Sequence, residues 1–242
     1  MTPSARFCSS CRMEQMLMPD AAALNRAHSL QGVIFDCDGV LIDSREANLT
    51  YYNRLLLAAD CAPMTREQED FVHMASERQA VEHILSPEAM ARYHELAAKA
   101  PYREIVLPLL RLEDGAEAVL TRLRERGLRL AVHTNRGAGM WQVLDKFSLR
   151  GMFEPVMTVV QAAPKPSPEG VLRILEAWGL PPAAVMFVGD SEADAAAARD
   201  AGVPLIAFKN TALRTAVAHV ASFAELETVL SDAHSFMQHI KK

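Results

Sequence analysis

The chain has 242 residues, of which 50% are hydrophobic, 23% charged and only 6% aromatic. A chain of that length buries roughly 70% of its unfolded surface, enough for a core without disulfides or structural metal. Its net charge of −5 argues against nucleic-acid or anionic-membrane partners, which favour a basic face, and no apolar run reaches the roughly 18 residues of a membrane helix.

Residues 1–30 show no clean periodicity and read as an N-terminal extension. Cys8 and Cys11 have half of a zinc site's spacing, but no second Cys or His pair follows nearby, so they read as incidental thiols. Arg6 and Arg12 are not followed by an apolar stretch ending in a small-residue cleavage site, so no secretory signal is expected. With Cys37 and Cys61 the chain holds four cysteines in no repeated spacing, which fits a reducing, cytoplasmic setting.

From Gln31 the pattern sharpens. Gly32-Val33-Ile34-Phe35 is an apolar run too short for a helix, ending abruptly in Asp36, and predicts a strand buried on both faces. Residues 45–113 then show no β-like run. Thr65-x-x-Gln68 and Ser76-x-x-Gln79 are capping-box patterns and Ser86-Pro87-Glu88 is a further helix start. Four or five short helices are expected there, forming a cap over the carboxyl edge of a sheet.

Strand and helix alternate thereafter. Ala116 to Arg126 predicts a helix with Gly127 as its C′ residue. Leu128 to Val132 predicts a strand running into His133-Thr134-Asn135, and Pro155 to Val160 another running into Gln161. Ser167 is the expected N-cap of a helix reaching about Trp178. Val185 to Val188 leads into Gly189-Asp190, a helix follows Ser191 and ends near Gly202, and Pro204 to Phe208 is a fifth strand. This order predicts an α/β fold: a doubly wound, Rossmann-like parallel sheet built from 31–44 and 114–242, with an all-helical cap domain inserted at 45–113.

In such sheets the ligand crevice lies beyond the carboxyl ends of the strands. The residues arriving there are Asp36 and Asp38, Thr134 and Asn135, Lys165, and Asp190 and Asp194. Two or three carboxylates suit a hard divalent cation such as Mg²⁺, and a lysine with backbone N–H groups suits a phosphate. Each residue alone has a plainer reading. Asp194 with Ser191 can simply support a helix N-terminus, and Lys165 can be an exposed lysine between two prolines. The set together points to phosphoryl chemistry. Cys37 and His133 are expected to pack rather than react.

These residues carry a resemblance. Asp36-Cys37-Asp38-Gly39-Val40-Leu41-Ile42-Asp43-Ser44 resembles the first signature of the haloacid dehalogenase superfamily, Thr134-Asn135 its second, Lys165 its third, and Gly189-Asp190-Ser191-Glu192-Ala193-Asp194 its fourth. The position of the helical insert resembles the phosphoglycolate phosphatase and β-phosphoglucomutase branch. The resemblance implies a Mg²⁺-dependent phosphatase acting on a small phosphorylated metabolite, as a monomer or homodimer. It implies Asp36 as nucleophile, forming an aspartyl phosphate, and Asp38 as general acid and base. Thr134, the Asn135 backbone and Lys165 would hold the phosphoryl group. The metal would be held by Asp36, the Asp38 carbonyl and Asp190, with Asp194 nearby.

The alternatives are a phosphosugar mutase, which differs in keeping water from the phosphorylated aspartate, and a catalytically silent binding protein on the same fold. Asp38 argues against a dehalogenase, and against a phosphonate hydrolase, for which Lys99 is the only cap lysine. In the cap, His73 and Arg78 are candidates for contact with the leaving group.

Overall fold

The computed structural model describes residues 30–239 except Ser76. Cys8, Cys11, the Ser76 capping pattern and the side chain of His73 lie outside the described residues. The central sheet has six parallel strands: β1 (Gly32–Phe35), β4 (Arg129–His133), β5 (Val156–Met157), β6 (Val185–Gly189), β7 (Leu205–Phe208) and β8 (Ala218–Val220). Their spatial order is β5-β4-β1-β6-β7-β8, so β1 is central and the connections diverge on either side of it. A crevice opens at such a switch point.

Alternation along β1 sorts its side chains into two layers, as the period of two in a strand requires. Val33 and Phe35 join a core with Val119, Leu120 and Leu123 of helix α7 (Ala116–Glu125), Val143 and Leu144 of helix α8 (Met140–Lys146), and Phe223, Leu226 and Leu230 of helix α11 (Phe223–His239). Ile34 joins the opposite layer with Val171, Ile174 and Trp178 of helix α9 (Glu169–Trp178) and Ala195 and Ala198 of helix α10 (Glu192–Asp200). The sheet is therefore buried on both faces. That is why its strands read as continuous apolar runs.

Between β2 (Ile42–Asp43) and β3 (Arg111–Leu112) the described chain forms six helices: α1 (Arg45–Ala58), α2 (Arg66–Met74), α3 (Glu77–Ile84), α4 (Pro87–Ala91), α5 (Tyr93–Lys99) and α6 (Tyr102–Leu109). Thr65 completes the expected capping box, and the Ser86 hydroxyl accepts the Ala89 N–H.

The expectations differ from the structure in several places, and the sixth strand β8 and the C-terminal helix α11 were not anticipated at all. The insert holds six described helices rather than four or five. Arg111–Leu112 pairs antiparallel with Ile42–Asp43, so residues 45–113 do contain a strand. It is only two residues long, too short for any periodic signal. The run Pro155 to Val160 yields only Val156–Met157 as strand. Thr158 turns the chain there, its hydroxyl accepting the Val160 N–H and its N–H reaching the Gln161 side chain, which leaves Val160 68% exposed. Ser167 stands one residue ahead of the N-cap position and accepts the Glu169 N–H through its hydroxyl.

Candidate active site

Asp36 extends β1 by one residue. Its N–H still donates to the Val188 carbonyl at 2.9 Å, so the sheet's own pairing fixes where the carboxylate emerges. Beyond it the chain turns sharply. Gly39 N–H donates to the Ile42 carbonyl at 2.9 Å, with Gly39 at φ +77°. A Cβ there would lie 2.0 Å from Oδ2 of Asp190. The turn therefore needs a residue without a side chain, both for its left-handed backbone and to let the β1 loop close on the β6 loop.

Lys165 is the link between the loops. Its Nζ donates to Oδ1 of Asp36 at 2.5 Å and to Oδ1 of Asp194 at 2.6 Å, and the lysine is 4% exposed. Its main chain is braced by the side chain of Asn135, whose amide donates to the Lys165 carbonyl at 3.1 Å and whose oxygen accepts the Lys165 N–H at 2.7 Å. Asp194 is fully buried. Its Oδ2 accepts from the Ser191 hydroxyl at 2.6 Å, the Ser191 N–H at 3.1 Å and the Asp190 N–H at 3.3 Å. Ser191 and Asp194 also cap α10 reciprocally. Asp194 thus supports the helix N-terminus, as its plainer reading expects, and it also anchors the lysine.

The charges are crowded. Burial pushes the Asp36 carboxyl well above the usual range; Lys165 opposes this, and the charges of Asp194, Asp190 and Asp38 add to it. Burial, with Asp194 beside it, pushes Asp190 up to about 7. For Lys165 burial acts downward, but Asp194 and Asp36 outweigh it and the ammonium is held protonated.

Asp36, Asp190 and Asp194 each offer an oxygen, all within 4.8 Å of one another. An all-oxygen donor set suits Mg²⁺, and a divalent cation would relieve the crowding that raises the two acids. The residues fit the ion. Asp194 already accepts hydrogen bonds on both oxygens, so Asp36 and Asp190 are the stronger candidate ligands. The Asp38 side chain is engaged elsewhere, leaving its main-chain carbonyl as its candidate donor.

A cavity of about 330 Å³ is lined by Asp36, Asp38, Thr134, Asn135, Lys165 and Asp190 from the sheet edge, and by Asn48, Tyr51, Tyr52, Val72, Glu77 and Arg103 from the helical insert. Of the predicted residues, Asp36, Asp38, Thr134, Asn135, Lys165 and Asp190 reach this cavity, whereas Asp194 lies just behind it and the cap candidate Arg78 does not line it. Arg136 also lines it and was missed. It pairs bidentately with Asp38, Nε to Oδ2 at 2.6 Å and Nη2 to Oδ1 at 2.5 Å. The available signal was its position, two residues after Thr134, whose hydroxyl accepts the Arg136 N–H at 3.1 Å and turns the chain back over the sheet edge.

On the helical wall, Tyr93 donates its hydroxyl to Glu77 at 2.5 Å, with Tyr51 adjoining at 3.4 Å. Arg78 instead points to solvent and pairs with Glu82 at 2.8 Å, one helical turn on. Cys37 is fully buried, and burial pushes its thiol well up, as an inert residue requires. His133 is buried against Gly170, where a Cβ would lie 2.3 Å from Nε2. Burial and the nearby Lys165 lower its pKa to about 3, so it is neutral.

The family model for haloacid dehalogenase-like hydrolases matches residues 33–208. A phosphoglycolate phosphatase of Rhodospirillum rubrum is 29% identical over 83% of this chain and 88% of its own. One from Cereibacter sphaeroides is 32% identical over 74% of this chain and 85% of its own. A crystal structure of a subfamily IA hydrolase of the same superfamily, from Geobacter sulfurreducens, is 36% identical, with a TM-score of 0.69 over 83% of this chain and 96% of that one.

Proposed function

This chain belongs to the haloacid dehalogenase-like hydrolases and is a phosphoric monoester hydrolase, and from that premise we propose that it cleaves a small phosphomonoester through a phosphorylated Asp36. Lys165 takes Oδ1 of Asp36, and among the described residues no hydrogen bond reaches Oδ2, which is the oxygen we assign to attack on phosphorus. As that bond forms, the bond from phosphorus to the leaving oxygen breaks and Asp38 gives its proton to that oxygen. Asp38 then takes a proton from water as the water oxygen attacks phosphorus, and Asp36 is released with inorganic phosphate.

Asp36, Asp190 and the Asp38 carbonyl are the proposed holders of Mg²⁺. The bound ion would offset repulsion between the attacking carboxylate and the phosphate and stabilise the charge in transfer. Thr134, Asn135 and Lys165 are proposed to hold the phosphoryl oxygens, with Asp194 keeping Lys165 protonated and aimed. The observation that supports this reading most is the single ammonium bridging Asp36 and Asp194 at the floor of a cavity that Asp190 also lines.

The Rhodospirillum rubrum and Cereibacter sphaeroides relatives are phosphoglycolate phosphatases, so phosphoglycolate heads the substrate panel. No helix among the described residues is long and apolar enough to cross a membrane, and Cys37 and Cys61 are free thiols; both fit the cytoplasmic setting we propose. The test is Asp36→Asn on a panel of phosphomonoesters with Mg²⁺. The variant is expected to lose turnover by several orders of magnitude while remaining folded, because the covalent route needs the carboxylate. Turnover near that of the parent protein would remove Asp36 from its role.

A further inference from the structure

Two of the cations lining the cavity are committed to carboxylates: Lys165 to Asp36 and Asp194, and Arg136 to Asp38. Arg103 lines the cavity from α6, and among the described residues it makes no ion pair and no hydrogen bond. Its own helix offers it no partner. It stands in the first turn, where the helix dipole disfavours a cation, and the positions three and four residues on are Val106 and Leu107. Elsewhere in the insert, Arg78 and Arg92 pair with Glu82 and Glu95 at that spacing, as arginines on solvated faces do.

Tyr52 supplies an independent observation. It lies one turn beyond Asn48 on α1, and both residues line the cavity. Tyr52 is 6% exposed, yet among the described residues its hydroxyl has no hydrogen-bond partner, whereas a tyrosine buried this far usually finds one. Burial, with Glu77 and Tyr51 nearby, pushes that hydroxyl well up, so it stays protonated and has a hydrogen to give. Glu77 on the same wall is held by Tyr93 and Tyr51 instead.

An unpartnered guanidinium and an unpartnered hydroxyl on one wall need the same thing, an acceptor that carries negative charge. The cavity of about 330 Å³ is at the low end of small-molecule sites, roughly 300–1,000 Å³. A short ester with its phosphoryl group at Lys165 therefore has its other end at the helical wall. We propose that Tyr52 and Arg103 are specificity residues that select a carboxylate on the leaving portion of the substrate. Tyr52 donates its hydroxyl to that carboxylate and Arg103 its guanidinium N–H groups, one negative charge matching the one uncommitted cation. This rests on the phosphatase reading above, which places the phosphoryl group at Lys165.

The test compares kcat/KM, with Mg²⁺, for phosphoglycolate, ethyl phosphate and O-phosphoethanolamine, whose leaving portions end in a carboxylate, a methyl and an ammonium. The compact substrate p-nitrophenyl phosphate reports on the phosphoryl site. The parent protein is expected to favour phosphoglycolate over ethyl phosphate and O-phosphoethanolamine. In Arg103→Gln that preference should fall roughly tenfold and chiefly through KM, the low end for a hydrogen bond to a charged group because Arg103 also meets water. Tyr52→Phe, which keeps the ring and its packing, should do the same, and p-nitrophenyl phosphate should fall less in both variants. Arg103→Lys, which keeps the charge but not the fork, should hold part of the preference. The proposal is overturned by a parent protein that is indifferent among the three esters or favours O-phosphoethanolamine. It is equally overturned by an unchanged preference in Arg103→Gln, or by an equal fall on every ester; each of these leaves the role of Asp36 standing. Failure of the parent protein to hydrolyse any of the esters, p-nitrophenyl phosphate included, would overturn both.

Discussion

The two walls of the cavity are built by different physical means. On the sheet side, Asp36, Asp194 and Lys165 are buried, reach the site on short stretches of backbone fixed by the sheet, and hold one another through charge-assisted bonds. On the helical side, Glu77 and Arg103 are exposed, and Tyr93 and Tyr51 reach Glu77 across separate helices. The first arrangement is rigid and costly to disturb; the second can adapt at little cost. A fixed wall suits the reacting phosphoryl group, which is the same in every substrate, and an adaptable wall suits the leaving group, which differs.

The largest effect expected from breaking this contrast is at Lys165. Lys165→Met keeps the volume of the stem but leaves the carboxylates of Asp36 and Asp194 facing each other without their shared cation. Denaturant unfolding should reveal a loss of about 3–5 kcal/mol, the range for removing one partner of a buried pair. Turnover should fall by roughly a hundredfold to a thousandfold, as when one preorganised charge donor is lost. A variant as stable as the parent protein would mean that the sheet wall is not held together by this cation.

The next effect is on pH and metal. The Asp190 carboxyl is pushed up to about 7, from the ordinary aspartate value of about 4. Between those values the folded state binds more protons than the unfolded state. Stability without metal therefore falls as pH rises from about 4 to about 7 and levels off above that. A cation on Asp190 must displace that proton below pH 7, so Mg²⁺ binding should be roughly tenfold weaker at pH 6 than at pH 8. The rise in melting temperature on adding Mg²⁺ should accordingly be larger at pH 8. An equal rise at both values would show that Asp190 is not linked to the ion.

The same contrast explains what could be read from the sequence. Asp36, Thr134, Lys165 and Asp190 were legible because each follows or braces a buried strand end, and an apolar run ending in a polar residue is a local signal. Arg136 was not. Its position two residues after Thr134 places it at the sheet edge, but its contact with Asp38 depends on how a long side chain bends across to another loop, and no spacing encodes that contact. On the helical wall even the partners were hidden: Glu77, Tyr51 and Tyr93 are 16 to 42 residues apart, and their meeting depends on how short helices pack. The strand at 156–157 was overextended for a related reason, since Val159 and Val160 are apolar yet exposed and composition alone continues the run past the turn at Thr158.

The smallest effect is expected on the adaptable wall, and it is the sharpest test of the contrast. Burial, reinforced by Glu77, pushes the Tyr93 hydroxyl up, so it remains a neutral donor to Glu77 at any pH of interest. Tyr93→Phe removes that donor, but Tyr51 still lies 3.5 Å from the same Glu77 oxygen, and the site is open enough for water to take the lost position. Stability should change by less than about 1 kcal/mol, because the exposed Glu77 keeps Tyr51 and gains water, so no buried charge is left unsatisfied. If the helical wall meets the leaving group, KM should shift by a few fold for ethyl phosphate and phosphoglycolate, with kcat on p-nitrophenyl phosphate nearly constant. A loss of kcat on all three esters matching that of Lys165→Met would show instead that Glu77 and its tyrosines act on the transferring group, and that the two walls share one task.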